Sequence, residues 1–274
     1  NNFEDIMNNP INFNNLDREE NKIRLRLSSN VIDVHHTSKS VNVTYYKNNE
    51  LTKINTKAVV MASGGWVNKH IISDLPQTHK DAYEQFNHAP MLVANVALTN
   101  WRFLKKLGIT AYQWTGGFGF HTNIRKPMHV GNYKPDLDPD KPITLTFYVS
   151  FEKTNQGLSA KEQSRLGQYE MLGKSFMQYE REIREQMVRM FSSSGFDPKN
   201  DIAGIILNRW GHAYVTPTPG FFYTPEGGPG YADIIKTQPF GRVSFGHSEL
   251  RGYQHWGPAA AEGSRAVDQI SEYI

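Results

Sequence analysis

The 274-residue sequence predicts a mixed α/β (α+β) fold, and three observations carry the prediction. Strand-like runs crowd residues 22–62, an amphipathic helical stretch occupies 159–191, and a strand leading into a helix closes the chain over 242–270. A chain that begins an α/β unit, leaves it and returns to complete it fits this order.

Each element has its own justification. KIRLRL (22–27) alternates apolar and basic residues, and VIDVHHT, SVNVTYYKNNELTKINT and KAVVMA follow it. The KNNE break between alternating runs is a hairpin signal. AVVMA (58–62) is a continuous apolar run, as expected of a strand buried on both faces. It stops at Ser63-Gly64-Gly65, where glycine lets the backbone turn or approach a neighbour closely. QTHKDAYEQFNH (77–88) suits a short helix, MLVANVAL (91–98) a buried strand, and NWRFLKKLG a helix closed by Gly108. Residues 111–150 read as strands and loops, with a Pro/Asp-rich turn at YKPDLDPDKP. In the helical stretch, Ser159 and Glu162 fit a capping box. Leu166, Tyr169, Leu172, Phe176, Tyr179, Ile183, Met187 and Met190 form one stripe read as core, which Gly173 is placed to split. IAGIILNRW (202–210) reads as another buried strand, and a Pro/Gly/aromatic loop follows.

Bulk properties exclude several classes. The net charge of +3, with acids and bases interleaved, is too weak and mixed for a nucleic-acid surface. No stretch approaches the ~18 apolar residues of a membrane span. Cysteine is absent, which excludes disulfides and thiolate chemistry and leaves the compartment, bacterial periplasm or cytoplasm, unknown. No metal site is expected: there is no H-E-x-x-H, and His35 and His36 are adjacent on a strand and point to opposite faces. No G-x-S-x-G marks a hydrolase serine. Residues 1–15 hold seven Asn and read as loop, in the manner of an internal segment of a longer chain.

The closing segment GRVSFGHSELRGYQHWGPAAAEGSRAVDQI (241–270) has a chemical logic. A strand runs into Ser248-Glu249, and the later helix begins with Gly, Pro, Ala and Ser. Free N–H groups and a partial positive charge at a helix start attract an anionic edge, and small residues let it come close. A carboxylate nearby can accept hydrogen bonds from sugar hydroxyls. A ligand with both features, such as a dinucleotide or flavin, fits this pattern; so does an ordinary strand–helix unit with tight packing.

The same segment, with its Gly263-Ser264-Arg265-Ala266, resembles the flavin-contact region of FAD-dependent amine oxidoreductases. LRLSSNVIDVHH, VNVTYYKNNELTKINTKAVVMASGG, ISDLP, APMLVANVALTNWRFLKKLG, EREIREQM, GFDPKNDI and NRWGHAY resemble, in the same order, the spermidine dehydrogenase-like members of that family. The resemblance implies a partial FAD-binding, Rossmann-like domain over 1–90, a substrate domain over 91–239, and a strand–helix over 240–274 that completes the first domain. It implies FAD as cofactor, a small-molecule amine as substrate, and an electron acceptor it leaves unknown. Val31 would lie against the adenine, and Ala62, Ser63 and Gly64 near the pyrophosphate. Ser248 and Glu249 would hold the pyrophosphate and ribityl region, and His255, Trp256 and Gly257 would face the flavin pyrimidine edge. Trp210 and Tyr214 are candidate aromatic walls for the amine, and His212 is the candidate base.

The sequence also departs from that family. The G-x-G-x-x-G fingerprint and the acid for the adenosine ribose are missing, and TGGFGF (115–120) is followed by no helix. SGGW differs from the usual residues at its position. Two other readings therefore stand beside the enzyme: a related flavoprotein acting on a non-amine substrate, and a remnant or binding module without cofactor.

Overall fold

The computed structural model describes residues 9–125, 129, 134, 136–224, 226–237 and 239–274. Part of the YKPDLDPDKP turn and the first eight residues of the Asn-rich start lie outside them. The chain forms two compact units: unit 1 is Asn1–Arg18, Pro90–Leu158 and Arg165–Gly211, and unit 2 is Glu19–Ala89, Ser159–Ser164 and His212–Ile274. The last return to unit 2 begins at His212.

Unit 2 opens with an antiparallel meander of β1 (Asn30–His36), β2 (Val41–Lys47) and β3 (Glu50–Thr56). Asn48 and Asn49 both take positive φ, 52° and 65°, which matches the hairpin twist. β4 (Val59–Met61) pairs in parallel with β10 (Val243–Phe245), and these two strands form their own sheet. Three helices accompany them: α1 (Gly65–Ile71), α2 (Gln77–Glu84) and, much later, α6 (Tyr231–Thr237). The closing helix α7 covers Trp256–Ile270. The core of this unit joins Val34, Met61, Ile72, Tyr83, Phe221, Ile235, Phe245 and Leu250.

Unit 1 is built on a five-stranded sheet of order β6-β7-β8-β5-β9. Its strands are β5 (Asn87–Leu98), β6 (Ala111–Gln113), β7 (His121–Ile124), β8 (Ile143–Ser150) and β9 (Ile202–Thr216), and the ends of β5 and β9 run into unit 2. Helix α3 (Arg102–Leu107) is closed by Gly108 at φ 67°. Helices α4 (Ala160–Gly173) and α5 (Phe176–Phe191) part at Gly173. Both begin at capping boxes, Ser159/Glu162 and Ser175/Gln178. Ala94, Val96, Leu98, Leu145 and Phe147 on one face of the sheet pack against Ile183, Met187 and Phe191 of α5.

Four sequence expectations are corrected. KIRLRL forms no strand; Ile23, Leu25 and Leu27 are exposed, and alternation becomes a strand only where an edge and a burying face are present. AVVMA is not buried on both faces: Val59 and Val60 are half-buried and face a cleft. The IAGIILNRW strand lies at the sheet edge, with Ile206 and Trp210 exposed. Only the part of the stripe from Tyr179 onward, on α5, is core. Tyr179, Ile183 and Met187 are buried, whereas Leu166, Tyr169, Leu172 and Phe176 are exposed. In α4 the packing face is Gly167 and Met171 instead, because a Cβ at Gly167 would stand 2.6 Å from the Phe151 carbonyl oxygen. The helix turns that bare face inward and leaves its larger side chains outside.

Candidate functional site

The terminal strand–turn–helix belongs to unit 2. All three residues of β10 are buried. At Gly246 a Cβ would stand 3.0 Å from both Ala266 Cβ and Val60 Cγ1, so the strand end lies close under α7. A short 3-10 turn, Ser248–Arg251, then swings Glu249 inward, where it is only 4% exposed. Its Oε2 accepts the Gly65 backbone N–H at 2.8 Å, and its Oε1 lies 3.0 Å from His88 Nε2. Burial alone would raise the Glu249 pKa. The His88 hydrogen bond, the nearby His247 and the Gly65 N–H outweigh it and hold the carboxyl below its usual range. Both oxygens of the carboxylate are therefore engaged inside the protein. Ser248 is half-buried at the start of the turn.

Glu249 belongs to a buried polar chain. His247 Nε2 lies 3.2 Å from Tyr83 Oη, and Asn68 Nδ2 donates to Tyr83 Oη at 3.4 Å and to the Ser63 carbonyl at 2.9 Å. Burial pushes the Tyr83 hydroxyl far up and the His247 imidazole down to about 4, so both stay neutral near pH 7. His247 Nδ1 is buried without a hydrogen bond and stands 3.7 Å from Glu249 Oε2. Sequence reasoning missed Asn68, Tyr83, His88 and His247. They come from separate segments, and no spacing rule joins them.

The glycines after β4 serve this chain. A Cβ at Gly64 would stand 2.9 Å from Glu249 Oε1, and one at Gly65 would stand 2.5 Å from Tyr83 Cδ1. Here the closely approaching groups are the protein's own. On the other side of the turn, Ala62 and Ser63 line an apolar cleft of about 420 Å³ with Val31, Val34, Val43, Val60 and Val67. The structure thus brings Val31, Ala62 and Ser63 together in one cleft, apart from Glu249.

The start of α7 is open. His255 is its N-cap, and its Nδ1 accepts the Gly257 N–H at 3.4 Å. Trp256 is 81% exposed, Gly257 is half-buried, and Ala259, Ala260 and Ala261 are exposed. The remaining free N–H groups of this first turn can meet an anionic edge. Further along, Arg265 is spent on structure: it binds Glu262 at 2.7 Å and the Lys236 carbonyl at 2.8 Å.

Trp210, His212 and Tyr214 alternate along β9 and share one face by strand periodicity; all three are exposed. Trp210 lies in unit 1, and His212 begins the return to unit 2. The His212 ring stacks on Trp66, 4.2 Å between centroids and 9° from parallel, beside a cavity of about 410 Å³ that also touches Lys69 and His70. Desolvation first, and the neighbouring His88 second, lower the His212 pKa and favour the neutral ring. Glu226 is exposed, and Asp233 is paired with Lys236 at 2.8 Å. Among the described residues no group of three or more His, Asp or Glu is placed to hold a metal. No helix among them is long and apolar enough to cross a membrane.

No family model and no curated protein matches the sequence. Solved structures do match. Cyclohexylamine oxidase from Brevibacterium oxydans aligns at TM-score 0.56 and 16% identity over 88% of this chain and 48% of its own. A putrescine oxidase redesigned in its cofactor binding aligns at TM-score 0.60 and 15% identity, over 90% of this chain and 49% of its own. Wild-type putrescine oxidase bound to putrescine aligns at TM-score 0.55 and 14% identity, over 89% and 48%. The chain spans about half the length of these proteins. At such identities the likeness speaks for architecture, and it does so plainly: this chain has the α/β fold of the flavin amine oxidases.

Proposed function

We propose that this chain is part of an FAD-dependent oxidoreductase that takes hydride from an amine, in the manner of the spermidine dehydrogenase-like flavoproteins. The supporting observation is the open, small-residue start of α7 behind the buried β10 strand, in a chain whose fold is that of amine oxidases. The donor set suits FAD at two places. The apolar cleft at Val31, Ala62 and Ser63 suits an adenosine end, and the α7 start at His255, Trp256 and Gly257 suits an anionic ring edge. Gly64 follows Ser63 in sequence, Ser248 opens the 3-10 turn ahead of α7, and the buried Glu249 anchors that turn to Gly65 and His88.

FAD, when bound, supplies the hydride acceptor. The chain supplies the rest. An amine must be neutral to give up hydride, and His212, with its lowered pKa, is suited to take the ammonium proton near neutral pH. Trp210 and Tyr214 are suited to orient the carbon chain by their ring faces. The positive end of α7 would favour negative charge on the reduced cofactor.

The test uses the full open reading frame that contains this chain. The purified protein is titrated with FAD, then mixed anaerobically with spermidine, other amines and non-amine donors. Bleaching of the oxidised flavin band by amines is the expected result. A protein that takes up no flavin, or a flavin that only non-amine donors reduce, would overturn the reading.

A further inference from the structure

We propose that the second face of the unit 1 sheet, the one turned away from α5, binds a ligand bearing a carboxylate. The proposal goes beyond the amine reading above and stands on unit 1 alone. It begins from strand register. His121 pairs with Tyr148, and Asn123 with Thr146, which in turn pairs with Asn95. These residues alternate with the core positions Thr122, Leu145, Phe147, Ala94 and Val96, so they share the opposite face. On β9, Ile205 and Leu207 pack with the core, which puts Ile206, Asn208 and Trp210 on the same face as Asn95.

Most polar groups of this face are hydrogen-bonded, and two are not. His121 Nδ1 and Asn123 Oδ1 are buried without a hydrogen-bond partner, two positions apart on one strand. Neighbouring orphans of this kind mark a place where a water or ligand completes the bonding. Beside them Arg125 Nε donates to Thr146 Oγ1 at 3.1 Å, and Thr146 Oγ1 donates to Asn95 Oδ1 at 2.9 Å. This holds the base of the Arg125 side chain on the face, while the residue itself remains exposed. Among the described residues Arg125 has no carboxylate partner.

The charge inventory decides the ligand class. Of the side chains on this face, in β5, β6, β7, β8 and the unit 1 part of β9, none is Asp or Glu. A distal ammonium would find amides, hydroxyls and a guanidinium there, and the last repels it. A carboxylate would find the guanidinium fork, with the amide and imidazole groups beside it. Glu170, Glu182 and Glu185, carboxylates that line a cavity of about 340 Å³ in this unit, sit on α4 and α5, the helices of the other face. Two of them are already paired: Glu170 with Lys153, and Glu182 with Lys174 at 3.0 Å.

The experiment is calorimetric titration of the 274-residue chain with three five-carbon probes: glutarate, δ-aminovalerate and cadaverine. Glutarate and δ-aminovalerate should bind, and cadaverine should not. Arg125→Gln should weaken both carboxylates about tenfold or more, while Lys106→Gln on α3 should leave them unchanged, with melting curves confirming that each variant folds. Cadaverine binding as tightly as δ-aminovalerate, no binding by any probe, or an Arg125→Gln chain that binds normally would each overturn the proposal. Glutarate has no amine, so its binding reads the carboxylate site alone, whereas flavin bleaching reads amine oxidation alone.

Discussion

His88 Nε2 and Glu249 Oε1 meet at 3.0 Å across 161 positions of sequence, both nearly excluded from solvent. Removing the carboxylate would strand the His88 ring N–H and the Gly65 backbone N–H in the interior. Glu249→Ala should therefore lower the stability of the chain itself by about 3 kcal/mol, with Glu249→Gln costing less because one acceptor remains. Urea denaturation in the absence of any flavin measures it. A Glu249→Ala protein with the parent midpoint would return Glu249 to the role of a ligand-facing residue.

Two glycines should respond in opposite directions. At Gly65 a Cβ would stand 2.5 Å from the Tyr83 ring, and Tyr83 is held in place by Asn68 and His247. Gly65→Ala should destabilise by about 1–3 kcal/mol through overpacking. Gly263, inside α7, has open space around its missing Cβ. Gly263→Ala should stabilise by about 0.5–1 kcal/mol, since alanine is the better helix former. Paired thermal melts check both signs.

The pH dependence of stability follows from His247. Its folded pKa is about 4 against an ordinary 6.5, so the unfolded chain binds this proton more readily. Stability is whole above pH 6.5 and declines as pH falls towards 4, by about 3 kcal/mol over that window. Glu249, held below its ordinary 4.5, adds a loss at still lower pH. His247→Gln should flatten the upper part of this decline, because glutamine carries no titrating proton. A melting temperature that falls equally steeply in the variant would remove His247 as the cause.

His212 should behave differently from the buried histidines. Its ring is exposed and its main contact is the stack on Trp66, so His212→Ala should cost no more than about 1 kcal/mol of stability. In the flavin-loaded parent it should retain the cofactor but slow flavin reduction near neutral pH, with recovery as pH rises and the amine loses its proton unaided. Stopped-flow reduction across pH separates this from a structural role, in which rate and stability would fall together.

Much of the fold was legible from local chemistry. The Asn48-Asn49 turn, the Gly108 stop, the Ser159/Glu162 cap and the break at Gly173 are decided within a few residues of backbone, and the sequence displays those residues. The exposed start of α7 was likewise legible in its run of small side chains. The α4 stripe misled because periodicity marks the apolar positions but not which face meets a partner. Gly167, with no side chain at all, won that contact through close approach to Phe151.

The sequence by itself determined most turns, caps and helix stops, that the chain leaves an α/β unit and returns to it, and which residues stand around the terminal strand and helix. Periodicity, caps and turn residues act over distances of a few residues, so they can be read in a line. Only the tertiary structure decided that Glu249 points inward to Gly65 and His88, that Val31 shares a cleft with Ala62 and Ser63, and that His121 and Asn123 lie beside Arg125 on one polar face. Those outcomes depend on burial and on partners from distant segments. The energy of a buried carboxylate or an unpaired imidazole is set by neighbours that only the folded chain supplies.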